Sequence, residues 1–145
     1  MKKFHEPVLL RELLELLELA PGMFVIDATV GGGGHAEAVL EAMRGEGKLI
    51  GLDRDPDAIR ESRQRLKKFG DSVILIQEKF SSLLEVMKNL GISKVDRIYF
   101  DLGVSSYQLD TAERGFSYQR NGPLDMRMNQ KEGQPVSEWI KRLSQ

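Results

Sequence analysis

The sequence predicts an α/β domain with a parallel sheet, on the basis of three observations. Four short apolar stretches alternate along the chain with four stretches of helical character. A run of four glycines, 31–34, separates the first apolar stretch from the helical stretch after it. Three of the apolar stretches carry an aspartate at their end: Asp27, Asp53 and Asp101. Since ligands bind beyond the carboxyl ends of parallel strands, these acids predict a binding site at one rim of the sheet.

Turn and capping residues delimit the predicted elements. Pro7 begins the first helix, and Asp55 is predicted to cap the third, with Pro56 at its first position. After Asp101 the periodicity is lost until a short helix whose Trp139 is predicted to anchor packing. The strands are predicted at 24–28, 48–53, 73–77 and 95–101, and the helices at 8–19, 36–44, 55–69, 81–90 and 136–143.

The glycine run predicts a loop whose backbone N–H groups approach a ligand closely, because no Cβ stands in the way. Nineteen residues after Gly34, Asp53 closes the second predicted strand. An acid at that position is placed to accept hydrogen bonds from the two hydroxyls of a ribose. A plain surface turn is the alternative interpretation of the glycines, and the spacing to Asp53 argues against it.

The residues around the loop favour a ligand without phosphate. No Lys-Ser or Lys-Thr follows the glycines, and the third glycine of a dinucleotide fingerprint is replaced by Ala36. Asp27, just before the loop, would repel a pyrophosphate but could hold a ligand ammonium through water or backbone groups. S-adenosylmethionine carries an ammonium, a sulfonium and a ribose, and no phosphate, so it is the cofactor that these residues predict.

Composition is that of an ordinary globular chain. The 145 residues are 41% hydrophobic and 30% charged and contain no cysteine, which excludes disulfides and thiolate metal sites. No long apolar run or leader is found, so we expect a cytoplasmic protein without membrane insertion. The net charge of −1 argues against nucleic-acid binding by charge alone. Three arginines in an irregular segment, Arg114, Arg120 and Arg127, are the predicted phosphate contacts.

Three segments together resemble one family. They are HEPVLL at 5–10, DATVGGGGH at 27–35 and DLGVSSYQLD at 101–110, the last continuing into RGFS at 114–117 and GPLDMRM at 122–128. The chain resembles the bacterial ribosomal RNA small subunit methyltransferase H (MraW) family, which methylates the exocyclic N4 of a cytidine in 16S rRNA. The resemblance covers nearly the whole chain, and the segments at 101–110 and 122–128 are its most specific part.

The resemblance implies a Rossmann-like S-adenosylmethionine-dependent methyltransferase fold. It implies a cofactor-binding domain at 1–110, incomplete after strand four, and the beginning of a helical substrate-recognition region at 111–145. If the resemblance is set aside, the residues alone favour a helix-capping role for His35 and a core position for Phe80. The cofactor contacts that the resemblance implies are Gly33, Gly34, His35, the ribose acid Asp53, Phe80 beside the adenine, Asp101 and Gln108.

Members of the family are longer, with further strands and a helical region. We therefore expect an uncovered, partly apolar edge beside strand four, self-association through it, and weak cofactor binding without useful methylation by these 145 residues. The missing region would also close over the target cytidine and exclude water.

The implied chemistry needs no metal, because the sulfonium supplies the electrophile. The N4 amine of cytosine is a poor nucleophile, and hydrogen-bond acceptors beside it would help it to react. Asp101, Ser105 and Ser106 are expected near the position of such acceptors. The target nucleotide must be unstacked or single-stranded. The residues that grip the base are not identified by the sequence. The alternatives are a non-catalytic RNA-binding or assembly module and a nicotinamide-dependent oxidoreductase.

Overall fold

The structure is a computed structural model that describes residues 7–143. The first two residues of the predicted segment at 5–10, His5 and Glu6, lie outside the described residues. Contacts divide the chain into two compact units, one ending at Leu102 and the other beginning at Gly103. The boundary predicted after residue 110 separates cofactor binding from substrate recognition, and it stays a prediction.

The first unit contains a four-stranded parallel sheet, which confirms the predicted fold class. The strand order is β3-β2-β1-β4, with every neighbouring pair parallel. The strands are β1 (Phe24–Asp27), β2 (Lys48–Asp53), β3 (Val73–Gln77) and β4 (Arg97–Tyr99). The helices of this unit are α1 (Leu10–Leu17), α2 (Gly34–Ala42), α3 (Pro56–Arg65) and α4 (Leu83–Asn89).

Alternating side chains of the central strands fill two core layers. Val25 and Leu49 pack with residues of α1, α2 and α3 on one face, and Ile26 and Ile50 pack with α4 on the other. All four are fully buried. Each such side chain contributes about 1.5–3 kcal/mol to folding. Because both faces are covered by helices, the strands read as continuous apolar runs, as parallel strands do.

Five predicted elements are shorter in the structure: β1 and α4 by one to three residues, and α1, α3 and β4 for identifiable reasons. Helix α1 begins at Leu10, because Leu9 adopts a left-handed conformation with φ of 55°. Helix α3 ends at Arg65, and the chain continues as a 3-10 segment, Leu66–Ser72, with a kink at Gly70. Strand β4 pairs with β1 at three positions only. The apolar character of each segment extends further than its regular hydrogen bonding does.

Over its described residues, 103–143, the second unit contains two helices and one 3-10 turn. They are α5 (Ser106–Asp110), the turn Ala112–Arg114, and α6 (Val136–Leu143). The sequence analysis missed α5, although its start has a recognisable signal. Ser105 and Gln108 form a capping box, in which each side chain bonds to the other residue's backbone N–H.

Polar side chains hold the second unit together. Its buried residues, within the part of the chain described, are Gln108, Arg114, Asp125 and Asn129. Arg114 is 4% exposed and donates to the backbone carbonyls of Arg127 and Met128. Its predicted role as an exposed phosphate contact is therefore wrong.

Arg127 also has a structural partner. Its guanidinium makes a bidentate pair with Asp125, at 2.8 and 2.7 Å, and holds the pKa of Asp125 below its usual value. The backbone carbonyl of Asp125 in turn accepts from the N–H of Val136, the first residue of α6. Trp139 is 59% exposed on α6, so the packing role predicted for it is wrong.

Strand β4 is an edge strand of the sheet that the structure describes. Ile98, Phe100 and Leu102 on and after it are exposed by 41%, 49% and 70%. This agrees with the expected apolar edge.

None of the helices at residues 7–143 has the length and apolar character needed to cross a bilayer.

Candidate functional site at the carboxyl rim of the sheet

The strand order places a topological switch point between β1 and β4. From β1 the chain adds β2 and β3 on one side and then returns to place β4 on the other side of β1. Parallel α/β sheets form their ligand crevice at the carboxyl ends of the two strands at such a point. Here those ends are Asp27, followed by the glycine loop, and Tyr99, followed by Asp101.

The glycine loop has a backbone that other residues would not adopt without strain. Gly31 and Gly33 have φ of 51° and 81°, both in the left-handed region. A Cβ at Gly33 would also lie 3.2 Å from Cα of Ser62 on α3. Gly33 caps α2, and the first N–H groups of that helix have no acceptor within the helix. The loop therefore presents backbone donors at the rim.

Asp53 ties the glycine loop to the start of α3. Its Oδ2 accepts from the N–H of Gly31 at 2.9 Å, and its Oδ1 accepts from the N–H of Asp55 at 2.8 Å. Burial raises the pKa of Asp53. Each carboxylate oxygen has a second lone pair, so the group can accept ligand hydroxyls while it holds the loop. Asp53 is thus oriented before any ligand arrives.

Asp27 is the centre of a buried hydrogen-bond network at the switch point. It is 1% exposed, and its Oδ2 accepts from the Tyr99 hydroxyl at 2.7 Å. Its Oδ1 accepts from the N–H of Thr29, whose hydroxyl oxygen accepts from the N–H of Asp101 at 2.7 Å. The network joins the carboxyl ends of β1 and β4. Any effect of Asp27 on a ligand therefore passes through Thr29 and the backbone of Asp101.

The pKa of Asp27 is raised to about 7, mainly by burial and to a smaller extent by the nearby carboxylates of Asp53 and Asp101. Burial also raises the pKa of Tyr99, so this hydroxyl stays a donor at physiological pH. The carboxylates of Asp53 and Asp101, each in electrostatic contact with Asp27, make the rim a poor site for a phosphate and a good site for a cation.

His35 and Asp101 lie close together at the rim. Nδ1 of His35 is 3.6 Å from Oδ2 of Asp101, and its Nε2 lies 3.0 Å from the carbonyl oxygen of Val8. Because a carbonyl only accepts, Nε2 carries a proton. The imidazole also packs edge-on against Tyr99, with ring centroids 6.4 Å apart. His35 therefore holds the segment before α1 through Val8 and lies beside Asp101, in addition to its place in the first turn of α2.

Phe80 lies outside the core, contrary to the alternative interpretation of it as a core residue. It begins the 3-10 turn after β3 and is 49% exposed. Its ring packs edge-to-face on Phe100, which is equally exposed, at 5.8 Å between centroids. An exposed aromatic pair at the rim offers apolar surface to a flat heterocycle.

Gln108 lies in the second unit, whereas Gly33, Gly34, His35, Asp53, Phe80 and Asp101 lie in the first. Its side chain is buried, and its Oε1 accepts from the N–H of Ser105 at 3.0 Å. The structure thus gives Gln108 a capping role in α5. The cofactor contact predicted for it stays a prediction.

The first-unit residues fit S-adenosylmethionine in chemical type. Backbone donors at the start of α2 suit its carboxylate, Asp53 suits its ribose hydroxyls, and the Phe80–Phe100 pair suits its adenine. The acidic rim suits its ammonium and sulfonium. Within residues 7–143, no group of three or more histidine or acidic side chains is arranged to hold a metal ion.

Sequence reasoning missed Tyr99, Thr29 and Phe100. Tyr99 and Asp27 are 72 residues apart, and only the β1–β4 pairing brings them into contact. Thr29 lies within the DATVGGGGH segment at 27–35, but no sequence pattern there indicates a role for its hydroxyl. Phe100 directly precedes Asp101, and an aromatic residue there is one signal that could have drawn attention to it.

Comparison with known proteins places this site in a family. The model of the MraW methylase family matches residues 2–145. A protein of Heliobacterium mobile named ribosomal RNA small subunit methyltransferase H is 52% identical over 130 residues, covering 89% of this chain and 42% of that protein. A protein of the same name from Solidesulfovibrio magneticus is 47% identical over 140 residues, covering 97% and 43%. The chain therefore spans less than half the length of these relatives.

Solved structures show the same fold at low sequence identity. TrmN from Thermus thermophilus superposes with a TM-score of 0.56 at 23% identity, over 66% of this chain and 27% of its own. An S-adenosylmethionine-dependent O-methyltransferase from Thermotoga maritima gives 0.54 at 17% identity, over 70% and 37%. The predicted Rossmann-like methyltransferase fold is confirmed.

Proposed function

The chain belongs to the MraW methylase family, and from this premise we propose that it forms the S-adenosylmethionine-binding part of an RNA methyltransferase. The proposed reaction is methylation of the exocyclic N4 of a cytidine in 16S rRNA of the small ribosomal subunit, in the cytoplasm. Relatives of 52% and 47% identity are named ribosomal RNA small subunit methyltransferase H, which supports a substrate in the RNA of the small ribosomal subunit.

One observation supports the proposal above all others. Asp53 is held by two backbone N–H groups, one from the glycine loop and one from the start of α3, with its second lone pairs available for ligand hydroxyls. A carboxylate oriented in this way suits a ribose and repels a phosphate. The half-exposed carboxylate of Asp101 adds negative charge at the same rim, which favours a cation there.

In the proposed reaction the residues of this chain bind and orient. The loop and Asp53 bind the cofactor, and the exposed Phe80–Phe100 pair offers apolar surface to its flat base. When bound, S-adenosylmethionine supplies an electrophilic methyl group on its sulfonium. The half-exposed carboxylate of Asp101 accepts a hydrogen bond from the target amine, which favours a tetrahedral nitrogen with an available lone pair.

The network around Asp27 positions Asp101 for this role. Thr29 accepts from the N–H of Asp101, and Tyr99 and Thr29 are both bonded to Asp27. These bonds fix the backbone at the end of β4, and the Asp101 side chain therefore projects from a backbone of defined position. Alignment within about 0.5 Å is what productive sites require.

Methyl transfer tests the proposed function directly. Protein containing this chain is incubated with labelled S-adenosylmethionine and small ribosomal subunits from cells that lack the activity, and the RNA is digested and mapped by mass. We expect one methyl group on N4 of a cytidine, and none on naked duplex RNA. Binding of the RNA without any transfer would instead favour the non-catalytic RNA-binding or assembly module.

We also propose that these 145 residues self-associate through the exposed edge at β4. A strand whose outer edge is unpaired and which carries apolar side chains is a template for pairing with another copy. Sedimentation velocity should show oligomers that Ile98→Lys reduces, because a charge at this position opposes edge pairing. Leu84→Lys is the matched control, since Leu84 is 82% exposed on α4. Monomers at every concentration would contradict the proposal.

A further inference from the structure

The second unit contains a polar cleft of about 580 Å³. It lies between α5 and the segment 117–120, and none of the predicted cofactor contacts lines it. Its volume is in the range of pockets that hold small ligands such as a nucleotide. The side chains that line the cleft include Leu109, Asp110, Ser117, Tyr118 and Arg120.

Tyr118 gives the cleft a flat aromatic surface. It is 97% exposed, so its ring contributes almost nothing to the packing of the unit. Exposed aromatic rings on nucleic-acid-binding proteins stack on bases, and every base has a face suited to this. Leu109, which is 38% exposed, adds apolar surface to the same cleft.

Arg120 and Asp110 form an ion pair at the cleft. The distance from Nη2 of Arg120 to Oδ1 of Asp110 is 2.8 Å, and both side chains are about half exposed. Exposed pairs of this kind are weak, and a guanidinium binds a phosphate through two parallel hydrogen bonds. Asp110 therefore holds Arg120 in place but competes with any phosphate for it.

Ser117 adds a hydrogen-bond donor to the cleft. Its hydroxyl oxygen accepts from the N–H of Gln119 at 3.2 Å, which leaves the hydroxyl hydrogen to donate. A hydroxyl beside an aromatic ring and a guanidinium matches the sugar, base and phosphate of one nucleotide. The ribose 2′-hydroxyl is an acceptor that DNA lacks.

We propose that this cleft binds one nucleotide of single-stranded RNA, with the base stacked on Tyr118 and a phosphate on Arg120. The inference rests on the proposed function, because it takes RNA as the substrate. Arg120 exchanges Asp110 for the phosphate when RNA binds. Of the three arginines predicted to contact phosphate, Arg120 is the one whose guanidinium lines this cleft.

The test is the affinity of protein containing this chain for a fluorescently labelled single-stranded RNA 12-mer, measured by anisotropy. Tyr118→Ala should weaken binding by about 5- to 150-fold, the range of one lost base–aromatic stack. Tyr118→Phe should bind as the parent does, because the ring is retained. Trp139→Ala removes an exposed aromatic residue of the same unit that lies outside the cleft, and it should leave binding unchanged.

The ion pair gives a second, independent readout. Arg120→Gln should reduce the salt dependence of binding by about 0.7 in log–log slope, as expected for one lost phosphate contact on a single strand. Asp110→Asn should strengthen binding several-fold, because it removes the competitor for Arg120. Lys131→Gln is the charge control on an exposed residue outside the cleft.

Parent-like affinity of Tyr118→Ala, or an unchanged salt slope in Arg120→Gln, would overturn the inference. Melting curves check that these surface variants are folded. If Tyr118→Ala transfers methyl groups and binds RNA as the parent does, the cleft proposal fails and the proposed function stands. If the cleft variants lose RNA affinity but the parent transfers no methyl group, the proposed function fails and the cleft proposal stands.

Discussion

Replacing Asp53 with alanine should weaken the binding of S-adenosylmethionine by roughly 10- to 150-fold, which corresponds to about 1.5–3 kcal/mol for hydrogen bonds to a charged group. The change removes the acceptor for the ribose hydroxyls. It also leaves the N–H groups of Gly31 and Asp55 without the oxygens that hold them. Isothermal titration calorimetry measures the loss.

Because Asp53 also fixes the loop, its structural and binding effects must be separated. Thermal melting without ligand reports the structural part, and the ligand-induced rise in Tm reports binding. Asp57→Ala is the matched control, since Asp57 is a neighbouring acid whose carboxylate pairs with Arg60 at 2.8 Å. An affinity of Asp53→Ala equal to that of Asp57→Ala would remove Asp53 from the ribose site.

Replacing Asp27 with asparagine should remove a pH dependence of stability. Burial raises the pKa of Asp27 from 3.8 to about 7, so between these values the folded chain keeps a proton that the unfolded chain has lost. The stabilisation of the folded state is therefore present at low pH and lost as the pH rises to 7. The slope is about 1.4 kcal/mol for each pH unit.

Urea unfolding at pH 5, 6, 7 and 8 checks this expectation. The difference in unfolding free energy between the parent and Asp27→Asn should fall between pH 5 and 7 and then level off. Asparagine retains an acceptor for Thr29 and can donate to the Tyr99 oxygen, so the variant should fold. Asp71→Asn, on the exposed surface, is the control. A constant difference across this range would contradict the account of the network.

The parts of the fold that the sequence predicted well depend on local patterns. Strands β2 and β3 and helix α6 have the predicted bounds, because turn residues directly flank each apolar or amphipathic stretch. The parts that the sequence predicted poorly either depend on distant partners or are too short to show a period. Strand β4 is shorter than its apolar stretch because only three of its residues pair with β1. Helix α5 was missed because five residues are too few for periodicity to show.

In the candidate site too, local spacing predicted some residues, whereas others depend on contacts between distant parts of the chain. The spacing along the chain predicts that Asp53 and the glycine loop lie together, and the structure brings Gly31 and Asp53 into contact. Their role in binding the cofactor stays a prediction. The roles of Tyr99 and Arg114 could not be found in this way. Tyr99 reaches Asp27 only through strand pairing, and Arg114 is buried among carbonyl groups that belong to residues thirteen and fourteen positions later.

A titration that compares two cofactors tests the central claim most directly, namely that the rim binds S-adenosylmethionine. Protein containing this chain is titrated calorimetrically with S-adenosylmethionine and, separately, with NAD. The acidic rim and the loop predict saturable binding of S-adenosylmethionine that Asp53→Ala weakens, and no binding of NAD, whose pyrophosphate would be repelled by the half-exposed carboxylate of Asp101. Saturable binding of NAD, without binding of S-adenosylmethionine, would contradict the claim and favour the oxidoreductase alternative.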